Sequence, residues 1–420
     1  MKATIINIGD ELLIGQVVNT NAAQMSQMLI TGGFDVVGVY TIGDNGDAIR
    51  DTLSNCLKIS NIVLITGGLG PTKDDITKKV LCDFFHSELY ENEEALENVK
   101  KRLAAHGREL TPINRQQAWV PRACTMVNNI LGTAPCMWFE LPDSTPAPVV
   151  VSLPGVPFEM VNLMQTEVVP RLQQHFRTDC ILNKNLLVQG IGESFLSDLI
   201  EPWELALPAN IRLAYLPQPG LTKLRLTARG SDFTQLQQQV DAALKTLYPI
   251  AGEYIVGEDL ETMPELVAQT MLSRGFTLAT AESCTGGAVA AKLTALAGAS
   301  EYFVGGVVSY SNAVKESALG VRHETLAAHG AVSEETAREM AVGVRERLNA
   351  DFGVATTGIA GPGGGSPEKP VGTVWIAVAS PHGVFTKKLS CPGRRPQVIE
   401  RTCSELYGLL VKRAKELPAK

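Results

Sequence analysis

The chain begins with a short apolar run, ATIINI over 3–8, rich in β-branched residues and followed at once by the polar GDELLIG. A run this short that ends at glycine predicts a buried strand. Over 20–31 the period changes. Ala22, Met25, Met28 and Leu29 fall on one stripe and Gly32-Gly33 ends it, which predicts a helix. FDVVGVYTIG predicts a second strand, 47–59 a helix carrying Ile49, Leu53 and Leu57, and NIVLITGG (61–68) a third strand entering a glycine turn, with a helix from about Asp75. Strands alternating with helices at this spacing imply βαβ units and a parallel sheet. The segment 91–120 is charged and helical in pattern. LPDSTPAP (141–148) is a proline-rich loop leading into a buried strand in APVVVSLPG, and a helix over 157–174 closes the unit.

From 181 to about 250 the texture changes. NLLVQGIG, RLAYLP and TKLRLTARG have strand character, and 193–204 and 233–247 helical character. GEDLETMPEL (257–266) resembles a helix start, and a second α/β unit runs from there to the end. The expected fold class is therefore α/β: two three-layer α/β domains, 1–175 and 256–420, joined by a small α+β module over 176–255. The two halves show no internal repeat.

Composition narrows the class without choosing a function. Of 420 residues, 45% are hydrophobic, 19% charged and 6% aromatic, as in globular proteins. No apolar run approaches the ~20 residues of a membrane span, and the amino terminus lacks a signal-peptide pattern, so no membrane association and a cytoplasmic location are expected. The formal charge is −7, which gives no global attraction to nucleic acid or anionic lipid. The 8 cysteines form no C-x-x-C pair, so buried, reduced thiols are expected.

Candidate chemistry concentrates in three C-terminal segments. FTLATAESCTGGAVAAKLTALAG (276–298) is a strand, a polar turn and an Ala-rich helix, with Ser283 at the turn. Free amides and the positive dipole end at a helix start can stabilise an oxyanion. Taken alone, a serine there is more simply an N-cap. No histidine is placed to be its base, but a lysine can serve if burial lowers its pKa. VVSYSNAVKESALG (307–320) offers Lys315, one helical turn after Ser311, although on spacing alone a solvated lysine is the simpler reading. Between 358 and 372 lie six glycines, an excess that suits backbone approach to a ligand.

Taken together, TAESCTGG, YSNAVK, HGAVS (329–333) and GIAGPGGGSPEKPVGTVW resemble the C-terminal domain of the CinA family, the bacterial nicotinamide-mononucleotide deamidases. The resemblance implies acylation of Ser283 by the nicotinamide carboxamide, with Lys315 as general base and Tyr310 orienting the pair. It assigns Thr285, Gly286, Thr357, Gly358 and Gly361 to the substrate wall. Arg395, with Arg394 as competitor, would meet the nucleotide phosphate. No cofactor is implied for this half.

The N-terminal half carries IGDELLIGQVVNTN (8–21), which places Asp10, Glu11 and Asn21 near strand ends, where open α/β sheets bind ligands. LITGGLGPTKDDITKK (64–79) adds a turn with Gly67, Gly68 and Gly70, then Thr72 and paired Asp74-Asp75. Carboxylates beside a phosphate-binding turn suit a divalent ion, and helix capping accounts for them equally well. GDELLIG-x-x-x-NTN, TIGDN, TGGLGPTKDDIT and LPGVPFEM (153–160) resemble the CinA amino-terminal domain, related to molybdopterin-binding proteins of the MogA and MoeA type. The resemblance gives Asp44 and Asp75 cofactor- and metal-linked roles. It implies hydrolysis of ADP-ribose to AMP and ribose 5-phosphate with a divalent metal (cobalt or magnesium) and potassium. Metal ligands would come from Asp74 and Asp75. One departure, GTAPC where the family reads GTAPG, puts Cys136 where backbone was expected to approach ligand.

Residues 181–250 resemble the KH-like module of CinA proteins but show no G-x-x-G loop with basic flanks, so a spacer or dimer contact is expected rather than RNA binding. A homodimer is implied by resemblance alone. The expectation is thus a two-activity enzyme recycling pyridine nucleotides. The alternatives are a molybdopterin-binding protein and a competence or DNA-damage adaptor.

Overall fold

The computed structural model describes residues 1–72, 75–141, 146–176 and 180–420. Asp74 and residues 142–145 of the proline-rich loop lie outside them. The chain forms two compact units, one of Met1–Leu182 with Arg229–Leu236, the other of Asn183–Ala228 with Gln237–Lys420.

In the first unit the strands are β1 (Lys2–Ile8), β2 (Asp35–Ile42), β3 (Ile62–Thr66), β4 (Leu89–Glu91), β5 (Trp119–Pro121), β6 (Thr125–Val127), β7 (Cys136–Glu140) and β8 (Val149–Leu153). Six of them form a sheet in the order β2-β1-β3-β8-β7-β6. Both faces are covered. Ile5, Ile62 and Leu64 pack with Met25 and Leu29 of helix Thr20–Thr31. The alternate residues Ile6, Ile8, Val63 and Ile65 pack with Ile49 and Leu53 of helix Gly46–Ile59. Strands buried on both faces read as unbroken apolar runs rather than alternation, which is why IVLIT is buried throughout.

The expected parallel sheet is found in β2, β1, β3 and β8 only. β7 runs antiparallel to β8, and β6 antiparallel to β7. The connection 141–148 is shorter than the dozen or so residues that a parallel crossover requires. The charged 91–120 segment holds helices Glu93–Ala105 and Pro112–Gln116, and its two ends are the antiparallel pair β4 and β5.

In the second unit, β9 (Cys180–Val188), which starts just before it, joins β10 (Ile211–Gln218), β11 (Leu221–Gly230) and β12 (Ile255–Glu258) in the order β10-β11-β9-β12. Leu187 and Leu221 of this sheet share one hydrophobic cluster with Met263, Leu266 and Val267 of helix Met263–Arg274. A second sheet of β13 (Leu278–Glu282), β14 (Phe303–Val308), β15 (Phe352–Gly358), β16 (Thr373–Ser380) and β17 (Gly383–Ser390) has the order β14-β13-β15-β16-β17. Its faces differ in residue size. One presents Leu278, Phe352, Val354, Val374 and Ile376 toward helix Arg395–Lys415. The other presents Ala279, Ala281, Ala355, Ala377 and Ala379 to Ala337, Met340 and Ala341 of helix Glu334–Arg347. Small residues let that helix approach closely, and an added Cβ on Gly353 would collide with the Ala341 carbonyl. Among the described residues no helix is long and apolar enough to cross a membrane.

Candidate active sites

β13, β14 and β15 are parallel and adjacent, so their C-terminal ends share one edge of the sheet. Three segments converge there: the turn after β13 with Ser283, the chain after β14 with Ser309 and Tyr310, and Thr356-Thr357 at the end of β15. Open sheets place ligand sites at such an edge. Ser311 caps helix Asn312–Leu319 by accepting from the Val314 amide, 3.3 Å. This sets Lys315 on the inward face of that helix, only 1% exposed.

The Lys315 Nζ lies 3.0 Å from Ser283 Oγ and donates to the carbonyls of Ser309, 2.7 Å, and Tyr310, 3.4 Å. A neutral amine has two N–H donors and one lone pair. With both donors given to carbonyls, the lone pair is left for the serine hydroxyl. Burial pushes the Lys315 pKa below the ordinary lysine value, and among the described residues no carboxylate accepts from its Nζ. Ser283 is itself 9% exposed, and its amide donates to the Thr356 carbonyl, 2.9 Å.

The helix-start expectation for Ser283 needs correction. The helix runs Ala288–Thr294 with the left-handed Gly287 as its N-cap, so Ser283 precedes the cap. The first amides are already taken. Glu282, 1% exposed, accepts from the amides of Gly287 (3.0 Å), Val289 (3.0 Å) and Ala290 (2.8 Å). It also accepts from the Thr285 hydroxyl, 2.7 Å, which is 2.7 Å from Thr356 Oγ1. The Glu282 carbonyl accepts from the Ser309 amide, 2.8 Å. One residue therefore ties the nucleophile's turn to the carbonyl that holds the lysine. Glu282, Ser309 and Thr356 were given no role from sequence. An acidic residue closing an otherwise apolar buried strand was the available signal.

Tyr310 contributes to the pair through its carbonyl, not its ring. Its side chain is 60% exposed, and its hydroxyl accepts from Arg395 Nη2, 2.9 Å. Arg395 Nη1 donates to the Gly361 carbonyl, 3.1 Å, so this guanidinium faces the glycine loop. The backbone amide of Arg394 instead caps the helix end through Gln397, 2.7 Å. Thr357 donates to the Ala331 carbonyl of the HGAVS segment, 2.6 Å. Gly286 (φ +62°) has open space where a Cβ would stand, whereas one on Gly358 would lie 2.7 Å from Val374 and one on Gly361 2.6 Å from Val371.

The first unit has an analogous edge, where β1, β2 and β3 end. Gly67 (φ +107°) and Gly68 (φ +65°) turn the chain after β3, and a Cβ on either would collide with the Ile8 carbonyl or the Thr77 hydroxyl. Asp75 accepts from the Thr72 amide, 2.9 Å, and from its hydroxyl; a Cβ on Gly70 would strike that carboxylate. Asp44 accepts from the Asp10 amide, 3.1 Å, and Asp10 from the Asp44 amide, 3.3 Å. Asn21 donates to the Gly155 carbonyl, 2.8 Å. A cavity of about 360 Å³ brings Glu11, Asn21, Asp44, Gly67, Gly68 and Asp75 together. Three buried oxygens here, Asn7 Oδ1, Asn21 Oδ1 and Thr77 Oγ1, have no partner among the described residues. On the other side of the glycine turn a second cavity of about 260 Å³ is lined by Thr72, Lys78 and Trp119. The sequence reading missed these last two.

Hard carboxylate and amide oxygens, among them Asn7 Oδ1 and Asn21 Oδ1, fit a hard cation such as magnesium. Among the described residues no group of three or more His, Cys, Asp or Glu is arranged as a metal cage. Cys136 lines neither cavity. It begins β7 with its side chain in the core beside Val127 and Trp138, and burial raises its thiol pKa. The expected clash between Cys136 and a ligand is thereby corrected. All eight cysteines are free.

Three family models match the chain: a probable molybdopterin binding domain over 4–174, a damage-inducible protein CinA KH domain over 183–257, and a CinA C-terminal domain over 260–413. A CinA-like protein of Flavobacterium psychrophilum is 41% identical, covering 98% of both chains. One of Cytophaga hutchinsonii is 42% identical, covering 99% of this chain and 98% of its own. A CinA superfamily structure from Klebsiella pneumoniae, 37% identical, covers 37% of this chain and 100% of its own with a TM-score of 0.36. Full-length similarity at this level, across all three modules in the same order, shows that the chain belongs to the CinA family.

Proposed function

We propose that the protein is a two-site hydrolase of pyridine nucleotides. Its C-terminal site would deamidate nicotinamide mononucleotide to nicotinate mononucleotide, and its N-terminal site would cleave ADP-ribose to AMP and ribose 5-phosphate. The observation that carries the first half is the Lys315–Ser283 contact of 3.0 Å, between a buried lysine and a serine at a ligand-binding sheet edge. Lys315 takes the Ser283 proton as Oγ attacks the carboxamide carbon, and returns it to nitrogen as the C–N bond breaks and ammonia leaves. Water, deprotonated by the same amine, then attacks the acyl carbon and releases the acid and free Ser283. The pyridinium charge of the substrate helps keep Lys315 neutral. The Arg395 guanidinium, held by Tyr310 and Gly361, is placed for the phosphate.

Ser283→Ala and Lys315→Ala are each expected to abolish ammonia release, with an unchanged circular-dichroism spectrum. Near-normal release from either variant sinks the assignment.

For the N-terminal site, the glycine turn, where backbone can approach a ligand closely and offer its amides, supports diphosphate binding. Asp44 and Asp75, with Asp74, would hold a divalent ion whose charge offsets that of the diphosphate, and potassium is the expected monovalent ion. AMP release that proceeds undiminished in excess chelator contradicts this half.

A further inference from the structure

The glycine turn of the N-terminal unit divides two cavities rather than bordering one. Gly68, Leu69, Gly70 and Asp75 line both. At about 260 and 360 Å³, each lies at or below the lower end of pockets that enclose a whole ligand, roughly 300–1,000 Å³. Each suits one half of a larger molecule.

The two lobes differ in chemistry. The larger is lined by carboxylates and by Asn7 and Asn21, whose buried Oδ1 atoms lack donors. Buried acceptors without donors are costly, and vicinal sugar hydroxyls supply donors. The smaller lobe is lined by Trp119, which is 41% exposed. It sits opposite Glu91 in the β4–β5 pair, and Glu91 is held by Arg115 Nη2 at 3.0 Å. Leu89 and Pro71 add apolar surface. Lys78 donates to the carbonyls of Gln117, 3.1 Å, and Gln116, 3.3 Å, and leaves one N–H over for a phosphate oxygen. An exposed indole beside a cation and a glycine turn is suited to stacking the base of a nucleotide.

We propose that a ligand straddles the turn, with its nucleoside monophosphate half stacked on Trp119 in the smaller lobe and its sugar phosphate half in the acidic lobe. The diphosphate would then cross the Gly68–Gly70 amides. This rests on the ADP-ribose reading and specifies its orientation, with AMP leaving from the Trp119 side.

The test titrates AMP and ribose 5-phosphate separately, by calorimetry in magnesium buffer, against the full chain and its Trp119→Ala and Trp119→Phe variants. Loss of the stack is expected to weaken AMP about tenfold and leave ribose 5-phosphate within about twofold. Trp119→Phe, which keeps a ring face, should retain most of the AMP affinity. Unchanged AMP affinity in Trp119→Ala, or a loss confined to ribose 5-phosphate, overturns the orientation. Trp119-dependent AMP binding without AMP release from ADP-ribose supports the orientation and rejects the hydrolysis reading.

Discussion

Burial, rather than a neighbouring cation of the protein, lowers the pKa of Lys315. Its Nζ is buried, meets only oxygens of uncharged groups, and so has a pKa below 10.5. A base must be deprotonated to act, so kcat/KM for deamidation should rise with pH and level off below the ordinary lysine value. It should fall as pH drops through the depressed pKa and ammonium accumulates. A profile still climbing at pH 10.5 removes Lys315 as the base. Glu282 acts one step further back, through the turn that it holds. Glu282→Gln puts an amide NH₂ among backbone N–H groups. It is expected to cost about 1–3 kcal/mol of stability and to lower kcat roughly a hundredfold with little change in KM. Thermal melting and steady-state kinetics on one preparation separate these effects. A fall in Tm with kcat intact makes Glu282 a purely structural residue.

At the scale of elements, the lysine's helix is set by a packing contact distant from the chemistry. Helix Glu334–Arg347 lies on the alanine face of the second-unit sheet, and its Gly343 abuts the Leu319 carbonyl at the end of helix Asn312–Leu319, where a Cβ would collide with it. The obstacle is backbone, so relief requires one helix to shift. Gly343→Ala is therefore expected to destabilise by about 1–3 kcal/mol and to reduce ammonia release by moving Lys315, measurable as a lower Tm and a lower kcat. Unaltered values of both imply that the helices yield freely. The alanine stripe was legible as small residues in β13, β15 and β16, but nothing in one dimension says which helix an alanine face receives.

At the scale of the whole molecule, the two candidate sites use different chemistry and lie in different compact units. Their activities should separate. Ser283→Ala is expected to leave AMP release from ADP-ribose intact, and Asp75→Asn to leave ammonia release intact while lowering AMP release at least tenfold. Excess chelator should mimic Asp75→Asn alone. Loss of both activities from either substitution contradicts independent sites.

The sequence by itself determined the alternation of strands and helices, because apolar period and glycine punctuation are local properties, whereas Ser283 and Lys315 were singled out only through the family motifs that carry them. Even the bounds of helix Thr20–Thr31 followed from its stripe and glycine stop. It could not show that Glu282 takes the helix amides, that Tyr310 serves through its carbonyl, or that Cys136 turns into the core. Nor could it show that β7 runs against its neighbours β8 and β6. Each depends on which of several polar or apolar partners lies nearest in space. That choice is made by strand order and side-chain direction. The sequence supplied the 32-residue separation of nucleophile and base. Only the parallel pairing of β13 with β14, and a buried turn of helix, brought them to 3.0 Å.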